Sequence, residues 1–136
     1  MITAVDTNVL FDVLHADDEH GEHSRRALKE CSGQGRLIAC EVVFAEVSSA
    51  FEEDDVATSV LSSLSLLFDP MSEQAARAAG SIFRRYRQRG GTRKRVVADF
   101  LIAAHATERA DRLLTRDRGF FRTYFPTLNV FDPSSQ

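Results

Sequence analysis

The sequence predicts an α/β fold in which a parallel sheet is covered by helices on both faces. Two observations carry this prediction. Short apolar runs, too brief for helices, alternate along the chain with segments whose apolar residues recur at helical spacing. The chain is also only 136 residues long, enough for one hydrophobic core and too short for two, so residues 1–136 are expected to form a single domain.

Ile2 to Val5 is a short run rich in β-branched residues, ended by Asp6-Thr7-Asn8, which predicts a strand stopping where helix-capping side chains begin. Val9, Leu10, Val13 and Leu14 then repeat at helical spacing. His20 to Cys31 reads as a more polar helix broken by Ser32-Gly33-Gln34-Gly35, and Leu37 to Cys40 as a buried strand. Val43, Phe44, Val47, Ala50 and Phe51 form the stripe of a third helix, and Val56, Val60, Leu61 and Leu64 that of a fourth. Leu66 to Phe68 is a strand closed by Asp69-Pro70. Ser72 to Arg89 is the longest helical segment and ends at Gly90-Gly91. Asp99 to Arg109 is a helix, Arg112 to Thr115 a strand, Gly119 to Tyr124 a short helix, and Leu128 to Phe131 a last strand. In such a sheet a ligand crevice lies at the carboxyl ends of the strands, where strand order reverses.

With 43% hydrophobic and 27% charged residues, the composition is that of a globular protein rather than a disordered or fibrous one. No apolar run approaches the roughly 20 residues of a membrane span, and the first residues carry acids rather than a basic leader, so a cytoplasmic protein is expected. Cys31 and Cys40 fit neither a zinc pattern nor a disulfide framework. The net charge of −3 is unevenly spread: Arg84, Arg85, Arg87, Arg89, Arg93, Lys94 and Arg95 gather seven of the 17 basic residues in a stretch without acids. A basic stretch of this kind suits a polyanion.

Four acids stand where a merely solvated carboxylate is unexpected. Asp6 directly follows the first strand, and Asp117 follows the strand Leu113 to Thr115, both at carboxyl ends. Asp99 is followed at i+3, i+4 and i+7 by Ile102, Ala103 and Ala106, which puts it on the buried side of its helix. Glu46 sits at the margin of the stripe formed by Val43, Val47 and Ala50. Taken singly, each has an ordinary alternative: a helix cap for Asp6 and Asp99, a boundary position for Glu46, a turn for Asp117. Aimed together into one crevice they would repel, and a divalent cation would relieve the conflict. An all-oxygen set suits Mg²⁺ or Mn²⁺. His20 and His23, three apart on a polar helix, are expected to be exposed rather than metal ligands, and His15 and His105 have no partner recognisable in the sequence.

These residues resemble the PIN-domain ribonucleases, most of all the VapC-type toxins of toxin–antitoxin pairs. The likeness runs through Val5-Asp6-Thr7-Asn8-Val9-Leu10, Glu46 within Val42 to Val47, Asp99 within Ala98 to Ala104, and Leu114-Thr115-Arg116-Asp117 followed by Gly119-Phe120-Phe121 and Phe125-Pro126. It implies a PIN-like α/β/α sandwich with a four- or five-stranded parallel sheet. It also implies an acidic pocket of Asp6, Glu46, Asp99 and Asp117 that binds Mg²⁺ or Mn²⁺, with Asn8 and Thr115 supporting the first acid. The activity implied is endoribonuclease cleavage by a metal-activated water, giving a 5′-phosphate and a 3′-hydroxyl. Arg93, Lys94 and Arg95 are expected to contact the RNA backbone. A cognate antitoxin and a homodimer are the implied partners, with the first two helices and the stretch around Phe51 as candidate contact surface.

A phosphatase of the haloacid-dehalogenase type also places an aspartate after its first strand, but requires a second two residues later, where Asn8 stands. The other alternative is a catalytically silent PIN-like module that binds RNA or protein. The complete acid set disfavours it, since a retired site has no reason to keep crowded carboxylates.

Overall fold

The computed structural model describes residues 1–93 and 97–135. The five strands are β1 (Ile2–Val5), β2 (Arg36–Ala39), β3 (Leu66–Phe68), β4 (Arg112–Leu114) and β5 (Val130–Phe131). They form one sheet in the order β3-β2-β1-β4-β5, and every pairing is parallel. Helices α1 (Thr7–Leu14), α2 (Gly21–Gln34), α3 (Glu41–Ser48), α4 (Asp54–Ser63), α5 (Glu73–Gln88), α6 (Ala98–Arg109) and α7 (Arg118–Tyr124) flank it. The expected α/β sandwich is therefore present, with five strands. The inner strands β1 and β4 are buried almost throughout, as a sheet covered on both faces requires.

From β1 the chain moves outward through β2 to β3, then returns to the other side of β1 at β4. The order therefore reverses between β1 and β4, where Val5 stands opposite Leu114. Asp6 and Thr115 are the residues that leave these two strands, and their backbones remain in register, since the Asp6 N–H donates to the Leu114 carbonyl at 2.9 Å.

Several boundaries differ from those read in the sequence. α2 runs through Ser32 and Gly33 to Gln34 instead of breaking after Cys31. Gly33 faces open space, so it weakens the helix without interrupting it. The stop falls at Gly35, where a Cβ would collide with the Met1 carbonyl. Cys40 is the N-cap of α3 rather than the end of β2, and α3 ends at Ser48, short of Phe51. β5 begins at Val130 rather than Leu128. Both cysteines are buried and free. Among the described residues, no helix is long and apolar enough to cross a membrane. Among the described residues, the large apolar side chains left exposed are Met1, Val56, Leu67 and Phe68, the last two on the edge strand β3, whereas Phe51 packs partly against the core.

His105, which has no recognisable partner in the sequence, has one in space. It is buried on α6, and its Nε2 lies 2.8 Å from Asp69 Oδ2 at the end of β3. The Arg109 guanidinium donates to both oxygens of the same carboxylate at 3.0 Å. Arg109 first, and His105 after it, hold the Asp69 carboxyl down at about 2. Its contribution to stability is thus present above the ordinary carboxylate range and disappears as pH falls towards 2. Asp69→Asn is expected to lower stability at pH 7 by roughly 1.5–3 kcal/mol, as for other hydrogen bonds to charged groups. Urea unfolding measured down the pH scale should show the two proteins converging in acid, and a constant gap would contradict this.

Candidate active site

Asp6 is 4% exposed at the reversal point of the sheet. Although it occupies the N-cap position of α1, its side chain makes no capping bond. Its Oδ2 instead accepts from the Thr115 hydroxyl at 2.7 Å. Thr115 is fully buried and is itself held, its Oγ1 accepting from Asn8 Nδ2 at 3.3 Å and from the Asp117 N–H at 3.1 Å. Asn8 and Thr115 thus form a chain of hydrogen bonds that ends on Asp6.

Burial pushes the Asp6 carboxyl up to about 6; the charges of Asp99 and Glu46 push the same way, against the Thr115 hydroxyl and the Thr7 N–H. Asp99 lies in the first turn of α6, whose N-cap is Val97, so capping does not account for it. Its carboxyl is raised first by burial, then by Asp117 and Glu46, while Arg93 lowers it. The four acids are therefore close enough to feel one another: Asp6 senses Asp99 and Glu46, and Asp99 senses Asp117 and Glu46. Asp117 is exposed at the N-cap of α7 and makes no capping bond either. Arg93 is exposed beside this group, whereas Lys94 and Arg95 lie outside the described residues.

Two further features belong to the site. Thr7 donates its hydroxyl to Glu46 Oε1 at 2.8 Å, fixing a side chain that sits only at the margin of its helix stripe. Asp12, on α1, is 4% exposed and takes a bidentate pair from Arg116 at 2.6 and 3.0 Å. The signal for Asp12 was present: it falls between Leu10 and Val13 and three residues after Val9, on the apolar side of its helix.

The donor set fits a hydrated divalent cation. It is all oxygen, it brings acids together at a strand-order reversal, and it places a buried carboxylate where neighbouring negative charge opposes its ionisation. Among the described residues no three His, Cys, Asp or Glu side chains already close on one point. A closed cage is not required, because Mg²⁺ keeps several waters and commonly uses one or two carboxylates. A cleft of about 400 Å³ between α5, α6 and α7 includes none of the four acids; its lining is mixed, with Ala75, Ile82 and Phe125 beside Arg85 and Glu108.

The family model of the PIN domain matches residues 3–126. The chain belongs to the PIN domain family. No curated protein matches it. Among solved structures, a chain of VapBC2 from Rickettsia felis, bound to a DNA fragment from their promoter, has a TM-score of 0.72 at 22% identity, covering 97% of this PIN chain and 98% of that chain. A chain of VapBC-1 from nontypeable Haemophilus influenzae has a TM-score of 0.74 at 19% identity, with 98% and 99% covered. DNA-bound VapBC from Salmonella typhimurium gives 0.72 at 19% identity, with 98% of each chain covered. At these identities the likeness is one of fold, and it spans nearly the whole of this PIN protein.

Proposed function

We propose that this PIN protein is the VapC-like toxin of a toxin–antitoxin pair, a cytoplasmic Mg²⁺- or Mn²⁺-dependent endoribonuclease formed by one domain over residues 1–136. The observation that carries this reading is Asp6: a buried carboxylate, oriented by Thr115 at 2.7 Å, with the charges of Asp99 and Glu46 directed at it. A structural role gives no reason to keep that arrangement, whereas cation binding does. Asp6 and Asp99 would hold the principal ion, with Glu46 and Asp117 serving a second ion or the attacking water. When bound, the ion lowers the pKa of water and offsets charge developing on the phosphate.

The protein's own groups set the geometry. The Thr115 hydroxyl keeps Asp6 in one rotamer, Asn8 keeps Thr115 in place, and the Thr7 hydroxyl turns Glu46 inward. Water attacks phosphorus and the 3′ oxygen departs with a proton, giving a 5′-phosphate and a 3′-hydroxyl. The fold neighbours are VapBC complexes, which supports an antitoxin partner, and a homodimer is proposed with it. Mapping RNA ends in cells after induced expression tests the activity: new 5′-phosphate ends should appear with the wild type and not with Asp6→Asn. The same ends in both, or none in either, would contradict it.

Arg93, Lys94 and Arg95 are proposed to hold the RNA backbone, consistent with Arg93 acting on the Asp99 charge. Replacing all three with serine should weaken binding and flatten the plot of log affinity against log salt by about 2, at about 0.7 per phosphate contact on single strands. An unchanged slope would remove these residues from the interface.

A further inference from the structure

We propose that Asp12 and Arg116 are positioning residues of the acidic pocket: their ion pair fixes the turn after β4 so that Thr115 and Asp117, on either side of Arg116, face Asp6 and Asp99. The proposal rests on the ribonuclease reading above and adds two residues to it. Thr115, Arg116 and Asp117 are consecutive, yet they serve different partners. Thr115 donates to Asp6 at 2.7 Å, and Asp117 lies close enough to Asp99 to raise its pKa. Arg116 reaches further along α1, where its Nε and Nη2 donate to Asp12 Oδ2 and Oδ1 at 2.6 and 3.0 Å. The Arg116 N–H also points to Asn8 Oδ1 at 3.5 Å, so Asn8 spans this residue and Thr115.

Asp12 is as buried as Asp6, and it is also held from α2, where the Ser24 hydroxyl donates to Oδ2 at 2.7 Å. The turn is thereby tied through one carboxylate to two helices. An ion pair that buries one carboxylate is a poor device for stability alone, because desolvation takes back much of its attraction. A bidentate guanidinium–carboxylate pair does fix both distance and orientation. Pairing also keeps a guanidinium from turning into a pocket of carboxylates, where it would compete with a cation.

Groups that orient metal ligands typically change affinity or activity 10- to 100-fold when removed, at order of magnitude. Titration with Mn²⁺ alone, followed by electron paramagnetic resonance, reads the pocket without needing turnover. Arg116→Lys and Asp12→Asn are each expected to bind Mn²⁺ about 10-fold more weakly and to lower kcat by at least as much, with KM for RNA little changed. Ser24→Ala removes one hydrogen bond to Asp12 and leaves the ion pair, so it should show a smaller loss in the same direction, and it decides the matter if the other variants do not fold. Variants that melt lower yet keep wild-type Mn²⁺ affinity and kcat would reduce the pair to a structural staple and overturn the proposal alone. A wild-type protein that neither binds Mn²⁺ nor cuts RNA would overturn the ribonuclease reading and this proposal with it.

Discussion

Asp6→Asn is expected to abolish metal-dependent cleavage while raising the melting temperature of the metal-free protein. The amide is nearly isosteric and its oxygen can still accept from Thr115, so the hydrogen-bond chain through Asn8 survives. What disappears is a buried negative charge facing Asp99 and Glu46. The sign follows from linkage. With the folded carboxyl pushed up to about 6, the native state holds a proton that the unfolded chain releases near its ordinary value of about 3.9. Native Asp6 therefore does no harm below about pH 4, and stability falls as pH rises through the window up to about 6. At roughly 1.4 kcal/mol per pKa unit, the penalty above that window is on the order of 2–3 kcal/mol, or several degrees in Tm for a chain of this size. Thermal melts in chelator should show the variant ahead of the wild type at pH 7.5 and level with it at pH 4. A variant that melts lower at both pH values would mean that Asp6 is a structural residue, not a charge held against repulsion.

Phe100→Ala is expected to produce the largest loss of stability. The ring is 1% exposed on α6 and meets Phe120 edge-on at 5.1 Å and Phe83 edge-on at 5.4 Å. Tyr86, Tyr124 and Phe125 complete its surroundings at 5.5, 5.8 and 6.2 Å. A single side chain thus joins α5, α6 and α7, and it is the immediate neighbour of Asp99. Truncating a core phenylalanine costs about 3–5 kcal/mol, a large part of the roughly 5–15 kcal/mol that holds a domain together. Urea unfolding should show this loss, with Phe100→Leu losing much less because it retains most of the volume. A loss under about 1 kcal/mol would mean that the aromatic cluster closes over the gap and that α6 is anchored elsewhere.

How far the sequence foretold this structure depends on the distance over which each feature is decided. β1 and Asp6 were legible because a strand and its terminating acid are local, and the parallel sheet followed from the alternation of short apolar runs with helical stripes. The approach of Asp99 to the other acids was legible as a carboxylate on the wrong side of its helix. The end of α2 was not, because Gly33 and Gly35 look alike in sequence and only the packing of Met1 against Gly35 separates them. Nor were the bonds that shape the pocket. Thr7 reaches Glu46 across 39 residues, and Arg116 reaches Asp12 across 104, spans over which no periodicity operates. The partner of His105 was hidden for the same reason, lying 36 residues away at the end of β3.

Asp6 and Asp99 are proposed to hold one divalent cation jointly. The most direct test is a crystal of the wild-type protein soaked in Mn²⁺ and measured for anomalous scattering. A strong manganese peak beside the Asp6 and Asp99 carboxylates is expected, with no such peak in Asp6→Asn crystals treated identically. A wild-type map with no peak beside those two side chains, at manganese concentrations that saturate surface sites, would contradict the proposal.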